Sequence, residues 1–306
     1  MTLAAAASAY HATDGTAYDV FLGRWTQRLA EPFLDFIDPP AGALLDVGCG
    51  TGSLARAMVA RSPQRRVVGG VDIALPYVAF ARSRSSPDNP AFAVADVARL
   101  PFADCAFAAA AAQLMLNFVP DPAAALNEMK RVTAPGGLLA ATVWDFRGGL
   151  VYQRIFWDTA AAVDPAAGGA RDRLFAGALA LPDGLVRLFE QVGLAHIERT
   201  SLTIRMDYAD FDDYWRPLLG GQGPVGTYVT ALAPNVRSHI ESRVRAAYLS
   251  GAPDGPRSPQ RPGPCAGASA RRTGSSSHRR PNMRDFAISY AIYRSIDHAA
   301  GMRRTL

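Results

Sequence analysis

The chain reads as an α/β protein built on a doubly wound, mostly parallel sheet, and two observations predict that class. From Ala43 to Trp144, short apolar runs alternate with helical stretches of about ten residues, the mark of βαβ units. A glycine-rich turn, Asp46-Val47-Gly48-Cys49-Gly50-Thr51-Gly52, joins the first of those runs to the first of those helices. Glycines there let the backbone turn tightly and approach a ligand with no Cβ in the way.

Residues 15–40 predict an amphipathic entry helix, with Tyr18, Phe21, Trp25, Leu29, Phe33 and Phe36 on its apolar face and Pro39-Pro40 as its stop. Ala43–Val47 is the first strand and Ser53–Arg61 its helix. Val67–Val71 is the second strand, followed by a helix from Pro76 to Arg84. Strands follow at Ala91–Val94, Phe107–Leu114 and Gly137–Trp144, with a helix from Pro122 to Arg131 between the last two. Phe107–Leu114 is an alanine run whose propensity favours helix. Its place in the alternation assigns it to a strand. Beyond Trp144 the pattern loosens. Helices are expected at Val151–Ala162, Asp183–Val192, Asp210–Leu219 and Pro234–Leu249, with an extended run at His196–Met206. Residues 148–235 thus read as a helical, lid-like insertion within a domain covering 1–250.

The stretch 251–284 changes character: 16 of its 34 residues are Pro, Gly or Ser, seven are Arg, and it reads as disordered. In the tail, 285–306, Phe286, Ile288, Tyr290 and Ile292 alternate with small residues as a strand would.

Composition narrows the function. With 306 residues and 49% hydrophobic content, the chain can bury a sizeable core. Its most apolar stretch, Phe107–Val119, is too short to span a bilayer and is interrupted by Gln113 and Asn117. The alanine-rich start lacks the basic residues and compact apolar run of a secretion signal. Cys49, Cys105 and Cys265 lie far apart, and the five histidines show no ligand spacing, so neither a disulfide framework nor a metal site is expected. A cytoplasmic location is the simplest. The net charge of +5 arises in residues 251–306, where ten arginines face three acids; the body, 1–250, carries −2. No specific nucleic-acid partner is therefore expected.

Acids at the strand ends carry the chemistry. Asp72, in Gly69-Gly70-Val71-Asp72-Ile73, follows Gly48 by 24 residues and can accept ribose hydroxyls. Asp96 ends the third strand, where it can accept from an adenine amino group. The turn alone also fits a dinucleotide site, since Gly50-Thr51-Gly52-Ser53-Leu54-Ala55 matches G-x-G-x-x-A. An NAD-dependent oxidoreductase is the alternative from that reading. Asp46, directly before the turn, is a poor neighbour for a pyrophosphate and suits a ligand carrying an ammonium and a sulfonium.

Together with Leu100-Pro101-Phe102-Ala103-Asp104, Gln113-Leu114-Met115-Leu116-Asn117-Phe118, Glu128-Met129-Lys130-Arg131-Val132 and Pro135-Gly136-Gly137, these motifs resemble the class I S-adenosylmethionine-dependent methyltransferases. The bacterial ubiquinone/menaquinone-biosynthesis type is the most similar. The resemblance runs from about Tyr18 to Leu249 and implies a Rossmann-like fold, S-adenosyl-L-methionine as cofactor and in-line methyl transfer to a small-molecule acceptor. It implies that Gly48, Cys49 and Gly50 line the methionine part with Asp46 nearby, that Asp72 holds the ribose, and that Ile73, Asp96 and Val97 contact the adenine. Gln113 and Leu114 would lie beside the reacting sulfur, with Tyr18 and Arg24 closing over the carboxylate. Asn117, Trp144, Tyr214 and Trp215 are candidates for the acceptor pocket. No catalytic base stands out.

The chain departs from the family at Ala108, where an acid is usual, and after Ser258, where an apolar last strand gives way to Pro/Arg/Ser-rich text. Such text fits translation out of frame from near residue 258. The sheet then lacks its seventh strand or recruits Asp285–Arg294 in its place. A pseudo-methyltransferase with a damaged C-terminus is the corresponding non-enzymatic alternative.

Overall fold

A computed structural model describes residues 12–61, 67–85, 90–258 and 293–295. The entry segment runs through α1 (Gly15–Tyr18), a π-helical turn (Asp19–Gly23) and α2 (Arg24–Ile37). Asp14 starts it, its carboxylate accepting from the Thr16 and Ala17 amides. Asp38, left-handed at φ 39°, ends it just before Pro39-Pro40. Trp25, Leu29, Phe33, Leu34 and Ile37 are all fully buried, so tertiary packing of one face holds this helix.

Alternation then builds the body. β1 (Leu44–Val47), α3 (Ser53–Arg61), β2 (Val68–Asp72), α4 (Leu75–Ser83) and β3 (Ala91–Val94) are followed by β4 (Phe107–Gln113), α5 (Pro122–Val132) and β5 (Thr133–Thr142). The sheet order is β3-β2-β1-β4-β5, all parallel, with β6 (Tyr293–Ser295) antiparallel on the β5 edge. Order reverses between β1 and β4, so a crevice opens outside their carboxyl ends. The strand period of two divides the core. Leu44, Val68, Ala109, Ala111, Leu138 and Ala140 meet α2, α3 and α4. Leu45, Val71, Ala110, Ala112, Leu139 and Ala141 meet α5 and the helix Gly184–Gln191 on the other face.

The alanine run is a strand. Ala109–Ala112 are at most 1% exposed, paired with β1 on one side and β5 on the other. Their small side chains let helices close on both faces of the central strand, which overrides intrinsic helix propensity. β5 begins four residues earlier than the sequence indicates, at Thr133, because a bulge lets its first residue pair with Phe107.

After β5 come α6 (Val151–Ala161), α7 (Pro165–Ala176), α8 (Gly184–Gln191), α9 (Phe211–Trp215), α10 (Gly223–Ala231) and α11 (Pro234–Leu249). Two of these, α7 and α10, are absent from the sequence reading. Within the expected run at His196–Met206, Glu198 is a bridge residue and no strand ladder forms among the described residues; beyond it, Tyr208 makes an isolated antiparallel bridge with Arg257. That bridge also corrects the disorder expected from residue 251. Residues 251–258 are tied down by the two Tyr208–Arg257 backbone bonds of 2.8 and 2.9 Å and by Ser258 Oγ donating to the Met206 carbonyl at 2.8 Å. The rest of the Pro/Arg/Ser-rich stretch, and the Phe286–Ile292 alternation, lie outside the described residues. The tail's strand falls at Tyr293–Ser295, with Arg294 opposite Ala140.

The close covering of β4 yields a test. Ala110→Leu should force rearrangement between β1, β5 and α5, lowering stability by about 1–3 kcal/mol. Urea denaturation should show a lower midpoint with an unchanged slope.

Candidate cofactor site

The glycine turn is held by the end of β2. Gly48 and Cys49 both donate their amides to the Val71 carbonyl at 2.8 Å, and Gly50 donates to Asp72 Oδ2 at 2.9 Å. Gly48, Gly50 and Gly52 all have positive φ (73°, 52° and 84°), a conformation that favours glycine. A Cβ at Gly48 would collide with Met115, whereas one at Gly50 would meet only Tyr18, 3.9 Å away. The space over Gly50 is therefore open.

Asp72 Oδ1 accepts from the Ala74 amide at 2.8 Å. Burial raises its pKa above the ordinary carboxylate value, and those backbone donors only partly offset it. Asp96 ends the next strand, exposed, with Oδ1 accepting from the Ala98 amide at 2.9 Å. Leu114 ends β4 in the left-handed region, φ 66°, held there as its amide donates to Thr142. Such strain in a non-glycine residue is concentrated at functional sites. Gln113 donates Nε2 to the Thr26 carbonyl at 2.9 Å, while its buried Oε1 has no hydrogen-bond partner.

These groups surround one cavity of about 320 Å³. Ten of the residues singled out from sequence line it: Tyr18, Gly48, Gly50, Asp72, Ile73, Asp96, Val97, Gln113, Leu114 and Trp144. Six others lie outside its wall. Asp46 is fully buried beneath the turn, its Oδ2 accepting from the Ala55 amide at 2.9 Å and its Oδ1 unpartnered. Cys49 is buried, and burial raises its thiol pKa well above the usual value, so it serves as a small turn residue rather than a thiolate. Asn117 braces the wall from behind, its Oδ1 accepting from the Trp144 amide at 2.8 Å.

Arg24 is not free to close over a ligand. Its guanidinium pairs with Asp213 at 3.0 Å and lies over the Trp25 and Tyr208 rings, pinning α2 to α9. Tyr214 and Trp215 are core rather than pocket. Tyr214 donates to the Tyr152 carbonyl at 2.8 Å and stacks on Tyr248, and Trp215 stacks on Phe211.

Sequence reasoning missed several cavity residues. Tyr77 packs at a tilt against Tyr18 with ring centroids 4.7 Å apart and donates to Gln222 Oε1 at 3.0 Å. Gln222, 1% exposed, also receives the Thr13 amide at 3.3 Å and donates Nε2 to Thr13 Oγ and the Gly220 carbonyl. One amide thus clasps the entry segment, α4 and the loop before α10 beside the cavity. Phe21, Leu22, Phe118 and Val119 give the far end an apolar wall, and Gln153 of α6 adds a buried amide. The π-helical turn is a visible signal for Phe21 and Leu22, because such bulges recur at functional sites. A Cβ at Gly23 would press on the Asp19 carboxyl group, which would have to shift. Among the described residues no group of three or more His, Cys, Asp or Glu side chains could hold a metal ion, and no helix is long and apolar enough to cross a membrane.

Acids at two adjacent strand ends, a glycine turn open above Gly50 and a topological switch point thus meet at one cavity. Residues 45–141 match a family model described as a methyltransferase domain. More particularly, the chain is 37% identical over 100 residues to the ubiquinone/menaquinone biosynthesis C-methyltransferase of Desulfotalea psychrophila, covering 33% of this chain and 40% of that protein. It is 36% identical to the demethylmenaquinone methyltransferase of Thermus thermophilus (38% and 52% covered) and 30% identical to the 2-methyl-6-phytyl-1,4-hydroquinone methyltransferase of Synechocystis (60% and 57%). The chain thus spans about half the length of these relatives. The fold is shared with a putative antibiotic-pathway methyltransferase of Anabaena variabilis at 13% identity, covering 88% of this chain and 96% of that one with a TM-score of 0.54. It is also shared with a Haemonchus contortus phosphoethanolamine N-methyltransferase in complex with S-adenosylhomocysteine, at 14% identity, 92% and 56% coverage and a TM-score of 0.52.

Two predictions follow from this geometry. Burial pushes the Asp46 pKa from 3.8 up to about 7, so between those values the folded state holds more protons than the unfolded one. This contribution to stability therefore falls as pH rises through that window and levels off above it. Asp46→Asn should remove that slope, gaining on the wild type by up to about 4 kcal/mol across the window in denaturant titrations. Gln222→Ala should open the clasp and speed release of S-adenosylhomocysteine by about tenfold in stopped-flow tryptophan fluorescence, the loss of about 1.4 kcal/mol of hydrogen bonding.

Proposed function

We propose that this chain transfers the methyl group of S-adenosylmethionine to a small, neutral, largely apolar acceptor. The observation that carries the reading is the division of one cavity. Its β1–β3 end holds the glycine turn, Asp72 and Asp96; its β4–β5 end is walled by Phe118, Val119, Pro120 and Trp144. The residues fit the cofactor. Asp72 retains lone pairs for ribose hydroxyls, Ile73 and Val97 would flank the adenine with Asp96 at its edge, and Gln113 offers an unpartnered buried oxygen near Leu114. Bound there, S-adenosylmethionine supplies an activated methyl group on a sulfonium.

The protein's part is orientation and exclusion of water. Tyr18, Phe21 and Leu22 close one side of the cavity, and Gln153, Gly223 and Pro224 of the 148–235 insertion close another, which supports its reading as a lid. No residue at the apolar end is placed to act as a dedicated base, and none is assigned. Dinucleotide binding is disfavoured. A pyrophosphate needs the free amides of the α3 N-terminus, and the Asp46 carboxylate already takes that of Ala55. The nearly neutral body and the free thiols of Cys49 and Cys105 support a cytoplasmic enzyme acting on a metabolite rather than on nucleic acid.

Calorimetric titration with S-adenosylhomocysteine is the test. Micromolar binding is expected, with none of NADH; the reverse preference would overturn the reading. Asp72→Ala should weaken binding by about 1–3 kcal/mol through lost charge-assisted hydrogen bonds. Unchanged affinity would remove Asp72 from the ribose site.

A further inference from the structure

Gln153 is a buried amide in the cavity wall that the cofactor reading above does not use. It sits in the first turn of α6, in the sequence Val151-Tyr152-Gln153-Arg154-Ile155-Phe156-Trp157, and is 6% exposed. Its Nε2 donates to the neighbouring Tyr152 hydroxyl at 2.9 Å, and its Oε1 is buried with no hydrogen-bond partner. Tyr152 is itself fixed: its ring lies edge-on to Phe21, with centroids 6.4 Å apart, and its carbonyl receives the Tyr214 hydroxyl at 2.8 Å. The amide is thus held from below by a rigid aromatic neighbour and lies in the wall that also contains Phe21, Phe118 and Trp144.

A buried amide oxygen without a donor is costly, and native structures keep few of them. At the floor of an otherwise apolar wall its natural complement is a donor carried by the ligand. A hydroxyl suits it in either amide orientation, since a hydroxyl both donates and accepts. A charged acceptor does not suit it, because nothing at this end of the cavity would compensate a buried charge.

We propose that Gln153 recognises the methyl acceptor, and that the acceptor is a neutral apolar molecule whose hydroxyl hydrogen-bonds to the Gln153 amide. This rests on the methyl-transfer reading above and adds to it the acceptor's polar handle and the residue that reads it. Gln153 binds and orients; it removes no proton.

The test uses two probes of nearly equal shape, 2-naphthol and 2-methylnaphthalene, in equilibrium dialysis against the full chain loaded with S-adenosylhomocysteine. Gln153→Met, which keeps an unbranched side chain of similar volume, should weaken 2-naphthol about five- to tenfold, the factor for one lost hydrogen bond. It should leave 2-methylnaphthalene within about twofold, because the apolar contact is conserved. Gln153→Glu, whose burial favours the neutral carboxylic acid and which keeps a hydrogen-bonding group at the same reach, should retain 2-naphthol binding. Unchanged S-adenosylhomocysteine affinity in both variants certifies the fold. Equal 2-naphthol affinity in the wild type and Gln153→Met would overturn the assignment, as would a wild-type chain that binds S-adenosylhomocysteine but neither naphthalene. A wild-type chain that fails to bind S-adenosylhomocysteine would instead sink the methyl-transfer reading itself.

Discussion

The carboxylate of Asp72 is the tie on which the site depends. One oxygen receives the Gly50 amide and the other the Ala74 amide, so a single side chain joins the turn after β1 to the loop after β2. With Gly48 and Cys49 both bonded to the Val71 carbonyl, the turns after β1 and β2, on one side of the switch point, are held together. The residue best placed to hold a ribose is therefore also the brace of the loop that shapes the pocket. Burial raises its pKa even with two backbone donors in place. Further donors from a ligand would favour the charged form, so ligand binding and loop order reinforce each other.

Asp46 carries a second, deeper constraint. It sits under the turn with one oxygen on the Ala55 amide and the other unpartnered. That contact fixes where α3 begins, and so the depth of the crevice floor. A carboxylate at this depth opposes a bound dianion and lies below the glycines rather than in the cavity wall. Its influence on a ligand is through field and position, not contact.

Much of the fold was legible because strand and helix periods differ and the glycine turn punctuates them. The alanine run of β4 had to be read from its place in the alternation, since its small side chains matter only once β1 and β5 flank it. The missed helices show the limit. In α7 only Ala167 is buried, so no apolar stripe marks it; α10 mixes glycines with β-branched residues that local propensity disfavours. His196–Met206 has a strand's composition but finds no strand to pair with among the described residues. At the site, the strand-end acids were legible because parallel topology places them together whatever the details. Arg24, Tyr214 and Trp215 were misleading, because their directions are set by partners far along the chain: Asp213 for the first, Tyr248 and Phe211 for the others. Gln153 and Gln222 left no pattern at all. A single amide inside a helical insertion has no period or spacing, and only burial shows that it is committed.

The same division of polarity that locates the cofactor also constrains the acceptor. Ionisable side chains gather where β2 and β3 end, and the β4–β5 end is aromatic and aliphatic, relieved by the amides of Gln113 and Gln153. A water-poor wall of this kind strengthens each dipole within it and penalises any charge brought in unpaired. The positive charge of a sulfonium is tolerable at its edge because the acids lie a short distance behind. An acceptor that entered with its own charge would have no such support. On the proposed reading the cavity would select against ions by leaving them unsolvated, and the Gln153 amide would orient what remains.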